Sequence, residues 1–491
     1  MSQVMTISRA ARLVGVPRGA LQKKIKAGEL RSFDGMVTTE DLLATYPSIQ
    51  FKEDLVFEHI MQIKDEAFAR RVRERVLPDK EVLAARLYEQ SRELANLRIH
   101  LQRYHAVIVQ AQGRLHEMGD NQDTAAQPDI KRLMQWMDQQ LEEVLDTQAP
   151  DALTVMDDYL RVVSAHVVLR PSDHEFFVDG ADTLLEAALR SGIALNYGCS
   201  SGNCGLCKAR IISGQVKKVR HHDYVLSEAE KNMGYALMCS HTAISDLVVE
   251  ALEALLPGDI PQQEIQARVK VMEPLTDKVR RLHLQTPRTN RLRFMAGQSV
   301  TLSVGDGSVA ADYAVASCPC DDRNLEFHIR DLPGNKFAQH VFQHLKNGET
   351  VTVHGPFGEF FLHDDSPRPP LFIACNNGFA PIKSLIEHAM ALDTLDVIPL
   401  YWLATFATGH YQSNLCRSWA DALDNFNYTE LVADSLDADS IYQALQVLAK
   451  DCPDLSGYDV YFAGAEGFVA CVHNWLTMNK VPAAQQISIV A

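Results

Sequence analysis

From Leu87 onward apolar residues recur every seven positions, at Leu87, Leu94, Leu101, Ile108 and Leu115. Leu83, Leu97, Tyr104 and Ala111 fill the partner positions, and Gln90 interrupts them. That period predicts a long helix with a coiled-coil seam, serving either a homodimer through residues 80–118 or an antiparallel hairpin. The hairpin's candidate second arm is Ile130 to Leu145, where Ile130, Leu133, Met134, Met137, Leu141, Val144 and Leu145 form one apolar face. Further along, the pattern changes to short alternating runs. Val167 to Val178 predicts two strands, Asp182 to Ser191 a helix, Ala209 to Val219 a hairpin and Ser245 to Glu250 a closing strand. After Pro257-Gly258-Asp259-Ile260-Pro261 comes a strand-rich stretch, and from Pro370 strands alternate with helices.

At the other end, Thr6 to Val16 predicts a capped helix, Pro17 to Gly28 a second, Leu30 to Val37 a small wing and Thr39 to Leu43 a third. Between Ser8 and Arg31 there are seven basic residues and one acidic. The segment resembles a helix-turn-helix of the MerR or excisionase type. Such a module either sits in a DNA major groove or docks on protein. The expected units are residues 1–50, a helical segment 51–148, then 165–256, 264–366 and 367–491, a multidomain α+β chain.

The 491 residues include 46% hydrophobic and 22% charged side chains, which suits several folded domains and excludes wholesale disorder. A net charge of −16 argues against a chain-wide basic surface. Met1 to Arg12 has no apolar h-region and no run approaches 18 apolar residues, so no membrane span and a cytoplasmic location are expected. Ten cysteines are too few for a disulfide scaffold in a chain of this length.

Four of them carry the strongest chemical signal. Cys199, Cys204 and Cys207 stand in C-x4-C-x2-C spacing, and Cys239 follows after 31 residues. This is the plant-type [2Fe–2S] spacing, with Gly198, Gly202 and Gly205 letting the loop bend around the cluster sulfurs. The competing reading is structural zinc, which usually takes two Cys-x2–4-Cys knuckles rather than a lone distant fourth ligand. With its surroundings, the motif resembles the β-grasp ferredoxin domain over residues 165–256. Ser200 stands where many relatives carry Arg.

Downstream, Asp312-Tyr313-Ala314-Val315-Ala316-Ser317, the Pro333-Gly334 turn, His354-Gly355-Pro356-Phe357-Gly358 and Cys375-Asn376-Asn377-Gly378-Phe379-Ala380-Pro381 resemble motifs of the ferredoxin-NADP reductase superfamily. The order ferredoxin, flavin, nucleotide looks like the reductase components of ring- and alkane-hydroxylating oxygenases. The resemblance implies a β-barrel binding FAD through Tyr313, Ala314, Val315, Ser317, Gly334, Asn335, Lys336, Gly355 and Phe357. It also implies an α/β domain binding a pyridine nucleotide through Gly378, Ala380, Pro381 and Gly464. Several motif positions depart from the family: Ala311 and Ala314 replace its Arg and Ser, Ala338 another Ser, and Ala463 and Ala465 its Cys and first Pro. Eleven acidic residues against Arg417 and Lys450 across residues 391–460 favour NADH over NADPH.

The implied activity is electron transfer between NADH, FAD and a [2Fe–2S] cluster and a protein acceptor, docked through residues 1–148. A relay subunit without its own NADH site and a redox-responsive DNA-binding regulator are the alternatives. Cys318 and Cys320, with the other cysteines, are expected to be inert packing thiols.

Overall fold

The computed structural model describes residues 4–14, 16, 18–32, 36–46, 80–120 and 161–491 without 181, 306 and 365, together with scattered positions between 132 and 139. Gly15, Pro17, residues 33–35 of the predicted wing and the helical readings over 51–79 and 130–145 therefore lie, wholly or mostly, outside the described residues.

Near the start, β1 (Val4–Thr6) pairs antiparallel with β2 (Met36–Thr38) around helices α1 (Ile7–Val14) and α2 (Arg18–Lys26), and α3 (Thr39–Thr45) follows. Thr38 caps α3 by accepting from the Asp41 N–H. Met5, Ala10, Ala11, Leu13, Leu21, Leu30, Val37 and Leu42 close one small core. Three basic side chains of this module turn toward the rest of the chain. Arg9 meets Asp246 at 2.9 Å, Arg12 pairs with Asp179 while lying over the Phe177 ring, and Lys26 pairs with Asp396.

Helix α4 (Lys80–Asp120) is as long as the heptads predict. Its first turns bury Val82 and Arg86, whereas Leu87, Leu94 and Leu101 are each at least half exposed.

The next domain is a five-stranded sheet in the order β4-β3-β9-β5-β7. It comprises β3 (Ser164–Arg170), β4 (Glu175–Asp179), β5 (Lys208–Ser213), β7 (Tyr235–Leu237) and β9 (Leu247–Glu250). Helix α5 (Leu184–Arg190), capped by a reciprocal Thr183–Glu186 box, buries Leu184, Leu185, Ala187 and Ala188 against it. One expectation needs correction. The predicted Ala209–Val219 hairpin does not form: β5 pairs with β7 and β9, whereas β6 (Val216–Lys218) pairs with β8 (His241–Ala243) in a separate sheet. The intervening Gly214 packs so closely on the Asp246 carbonyl that a Cβ would lie 2.1 Å from it, which carries the chain out of the hairpin path. The predicted closing strand, β9, is central, parallel to β3. Its Leu247 and Val249 are fully enclosed, as that place requires.

A curled antiparallel sheet follows, ordered β13-β12-β15-β10-β11-β14. Its strands are β10 (Gln263–Thr276), β11 (Val279–Gln285), β12 (Ser299–Val304), β13 (Val309–Ala314), β14 (Asn324–Arg330) and β15 (Thr350–Phe357). Alternate residues such as Ile265, Ala267 and Val269 point inward, and helix α7 (Lys336–Gln343) adds Phe337, Ala338 and Val341 to the same core. The short helix α6 (Glu228–Asn232) precedes it in the chain.

The last domain is a parallel sheet ordered β18-β17-β16-β19-β20. It is built from β16 (Pro370–Cys375), β17 (Ile398–Ala404), β18 (Phe426–Val432), β19 (Asp459–Gly464) and β20 (Gln486–Val490). Strands β16, β17 and β19 are buried along their whole length because helices α8 (Phe379–Leu392), α9 (Ser413–Ala422), α10 (Ala438–Asp451) and α11 (Glu466–Met478) cover the sheet.

Candidate functional site

The four cysteines meet where the loop after α5, the start of β5 and the β7–β8 turn converge. They pair two and two. The backbone N–H of Cys199 donates to Cys204 Sγ and that of Cys204 to Cys199 Sγ. Cys207 and Cys239 hydrogen-bond through their sulfurs. Further N–H groups, from Asn203 onto Cys199 and from Leu206 onto Cys204, stand 3.3 and 3.5 Å from sulfur. Gly202 and Gly205 adopt φ of +81° and +75°, and a Cβ on either would strike His222 or Tyr224.

The electrostatics favour the thiolate at Cys199 and at Cys239. Burial opposes charge on Cys199, yet N–H groups of Cys204, Ser201 and Asn203 bring its thiol down to about 6. The Cys207 thiol draws Cys239 to about 7 and is itself pushed up. Two cysteine pairs would suit a [2Fe–2S] cluster, one pair to each iron. A structural zinc more often takes two Cys-x2–4-Cys knuckles than a lone distant fourth ligand.

One edge of this loop lies on the neighbouring antiparallel domain. The Ser200 N–H donates to the Arg288 carbonyl, the Arg291 N–H to the Gly198 carbonyl, and Arg293 Nη1 to Asn196 Oδ1 at 2.8 Å. The opposite edge is open: Asn203 and Cys204 are exposed and Leu206 is 52% exposed.

Of the residues expected at a flavin, Tyr313 lies one residue before the end of β13 with its hydroxyl accepting from Asn335 Nδ2 at 3.0 Å and its ring against Phe337. Burial pushes its hydroxyl up to about 12. Asn335 also caps α7 by accepting from the Ala338 N–H, Gly334 turns with φ of +87°, and Lys336 is exposed beside them. This half-open face, with a fixed tyrosine ring and the start of a helix, fits a planar ring bearing a phosphate. Val315 points into the core of the domain, so only its backbone can meet a ligand. Ala314 and Phe357 are half buried, Gly355 is buried, and the Ser317 hydroxyl accepts from the Glu326 N–H.

At the carboxyl ends of β16 and β19, Gly378 serves the chain itself. A Cβ there would sit 2.0 Å from the Ala463 carbonyl oxygen. Asn376 takes the positive φ of 49° expected of asparagine in this turn. Its side chain accepts from the Thr405 N–H and donates to Thr405 Oγ1. Asn377 Oδ1 is buried in the same loop and no described residue donates to it. Ala380 and Pro381 are buried in the first turn of α8, and Gly464 packs against Phe468 and Cys375.

Sequence reasoning missed the polar cluster that joins these two domains. Buried Lys383 on α8 donates to Glu387 at 2.8 Å and to the Ala316 carbonyl, and lies 3.4 Å from Glu326. His328 bridges Glu326 and the Tyr411 hydroxyl. Burial opposes the charge on Glu326, but Lys383 and His328 hold it well below the usual carboxylate range. Each of these residues, met alone in the sequence, looks like an ordinary surface charge. The structure also joins Cys318 and Cys320 in a disulfide, correcting the expectation of inert thiols. Among the described residues no helix is long and apolar enough to cross a membrane.

Comparison with known proteins agrees with this geometry. Residues 167–243 match the 2Fe-2S iron-sulfur cluster binding domain and residues 266–362 the oxidoreductase FAD-binding domain. The chain is 30% identical to CDP-6-deoxy-L-threo-D-glycero-4-hexulose-3-dehydrase reductase of Yersinia pestis over 315 residues, 64% of this chain and 94% of that one. It is 26% identical over 332 residues to the reductase component of propane 2-monooxygenase from Mycolicibacterium goodii, covering 66% and 95%. A solved cytochrome P450 reductase of Amycolatopsis covers 67% of this chain and 99% of its own, at 24% identity and a TM-score of 0.43.

Proposed function

The chain belongs to the family of iron–sulfur flavoprotein reductases that join a [2Fe–2S] ferredoxin domain to an FAD-binding oxidoreductase domain, and from that premise we propose that it carries electrons from NADH to a protein acceptor. When bound, FAD would supply the conversion between the two-electron hydride chemistry of a nicotinamide and the one-electron chemistry of a [2Fe–2S] cluster. Cys199 with Cys204 would hold one iron, and Cys207 with Cys239 the other. Tyr313 would lie against the flavin ring, while Asn335, Lys336 and the start of α7 face its phosphates. At the nucleotide, Asn377 Oδ1 is an acceptor awaiting an N–H or O–H donor, which a carboxamide or a ribose hydroxyl supplies.

The observation that carries the reading is the two-sided placement of the cysteine loop. Its Asn196–Ser200 edge is clamped to the FAD-binding domain, and its Asn203–Leu206 edge is open to a partner. Electrons entering on one side can leave on the other. An oxygenase or another metalloenzyme is the acceptor we favour, given what the relatives serve. Residues 4–46 act as a docking module in this reading. Arg9, Arg12 and Lys26 are committed to carboxylates of the same chain, which leaves fewer cations for a DNA groove. The exposed heptad face of α4 supports a homodimer through residues 80–118.

Anaerobic addition of one equivalent of NADH to the purified protein tests the proposal. Flavin and cluster absorption should bleach together within seconds. Flavin that ignores NADH, or its absence from the protein, would refute it.

A further inference from the structure

Arg291 lies between β11 and β12, in the FAD-binding domain, but its side chain serves the other domain. Nε and Nη2 donate to the Ser200 hydroxyl at 3.2 and 3.1 Å, and Nη1 donates to Thr286 Oγ1 at 3.1 Å. Ser200 spends its own hydrogen on the Arg288 carbonyl, so its lone pairs are free to receive the guanidinium. The backbone N–H of Arg291 adds a bond to the Gly198 carbonyl. Arg291 is 5% exposed, so its charge is poorly screened. One counter-charge is near: Asp322 Oδ2 stands 3.8 Å from Nε, and although burial pushes this carboxyl up to about 6, Arg291 and a hydrogen bond from Tyr197 favour its charged form.

We propose that Arg291 is a positioning residue for electron transfer between the two domains, fixing the cysteine loop on the FAD-binding domain and raising the reduction potential of the cluster. The inference rests on the electron-transfer reading above. The physical reason is that one-electron reduction adds a negative charge to the cluster with no proton to neutralise it. Ser200 directly follows Cys199, so a fixed cation on its hydroxyl stabilises the reduced form more than the oxidised form. Asp322 opposes that effect from behind. A surface lysine would do little, because solvent would screen it.

The test is a mediated redox titration of the intact holoprotein, following the reduced cluster by electron paramagnetic resonance. Arg291→Gln should shift the reduced-to-oxidised ratio at fixed potential about tenfold toward oxidised, which is about 59 mV for one electron. Arg291→Lys, keeping the charge, should stay within about threefold of wild type, and Asp322→Asn should shift the ratio the other way. Opposite signs are not expected of simple structural damage. An unchanged potential in Arg291→Gln, or a shift in the same direction from Asp322→Asn, overturns the inference. Should Arg291→Gln fail to fold, the sign of the Asp322→Asn shift decides. Wild-type protein without a [2Fe–2S] signal would overturn the electron-transfer reading itself.

Discussion

Arg86→Met should free the start of α4 from the ferredoxin domain. The Arg86 guanidinium is 1% exposed and donates five hydrogen bonds to four backbone carbonyls: Ala243 twice, Val162, Val163 and Val178. Methionine occupies much of the same volume, so water is slow to replace the lost donors. Four carbonyls left short of a partner cost about 6 kcal/mol at ~1.5 kcal/mol each. Burial of the guanidinium runs against this, since it brings the Arg86 pKa from 12.5 down to about 10. At 1.36 kcal/mol per pKa unit, relief of that strain returns about 3 kcal/mol. The net loss is about 3 kcal/mol, or roughly a hundredfold in the population of the detached helix. Hydrogen exchange of amides 82–90 measures it directly. Exchange within about threefold of wild type would show that Val82 and the helix contacts, not the arginine, hold α4 in place.

Cys204→Ser should abolish reduction of one-electron protein acceptors while leaving flavin-level NADH:dye activity, checked by assaying both on one preparation. Gly378→Ala places a methyl group 2.0 Å from the Ala463 oxygen, so the thermal midpoint should drop by the equivalent of about 3 kcal/mol or more; an unchanged midpoint would contradict the packing. The depressed Glu326 carboxylate contributes stability that is present above its unfolded pKa, about 4.3, and is lost as pH falls below it. Wild type should therefore lose thermal stability on acidification below about pH 4.5, and Glu326→Gln, already less stable at neutral pH, should lose less over the same range.

Local chemistry was legible without coordinates wherever it depends on spacing along the chain. Four thiols at C-x4-C-x2-C with a distant fourth specify their own convergence, because only glycine-rich backbone bends that tightly. The heptads before residue 120 specify a helix for the same local reason, and the Asn376 turn needs only a residue that tolerates positive φ. The pairing of β5 and β6 was not legible, since alternation marks a strand but not its neighbour, and Gly214 is set by a carbonyl 32 residues away. The charges were misleading in the same way. Arg9 and Arg12 look like groove-binding residues until Asp246 and Asp179 appear opposite them. Arg291, Asp322, Lys383 and Glu326 acquire meaning only when two domains meet. A charge has the same identity at the surface and in the interior, but its energy depends on what surrounds it, and only the tertiary structure decides that.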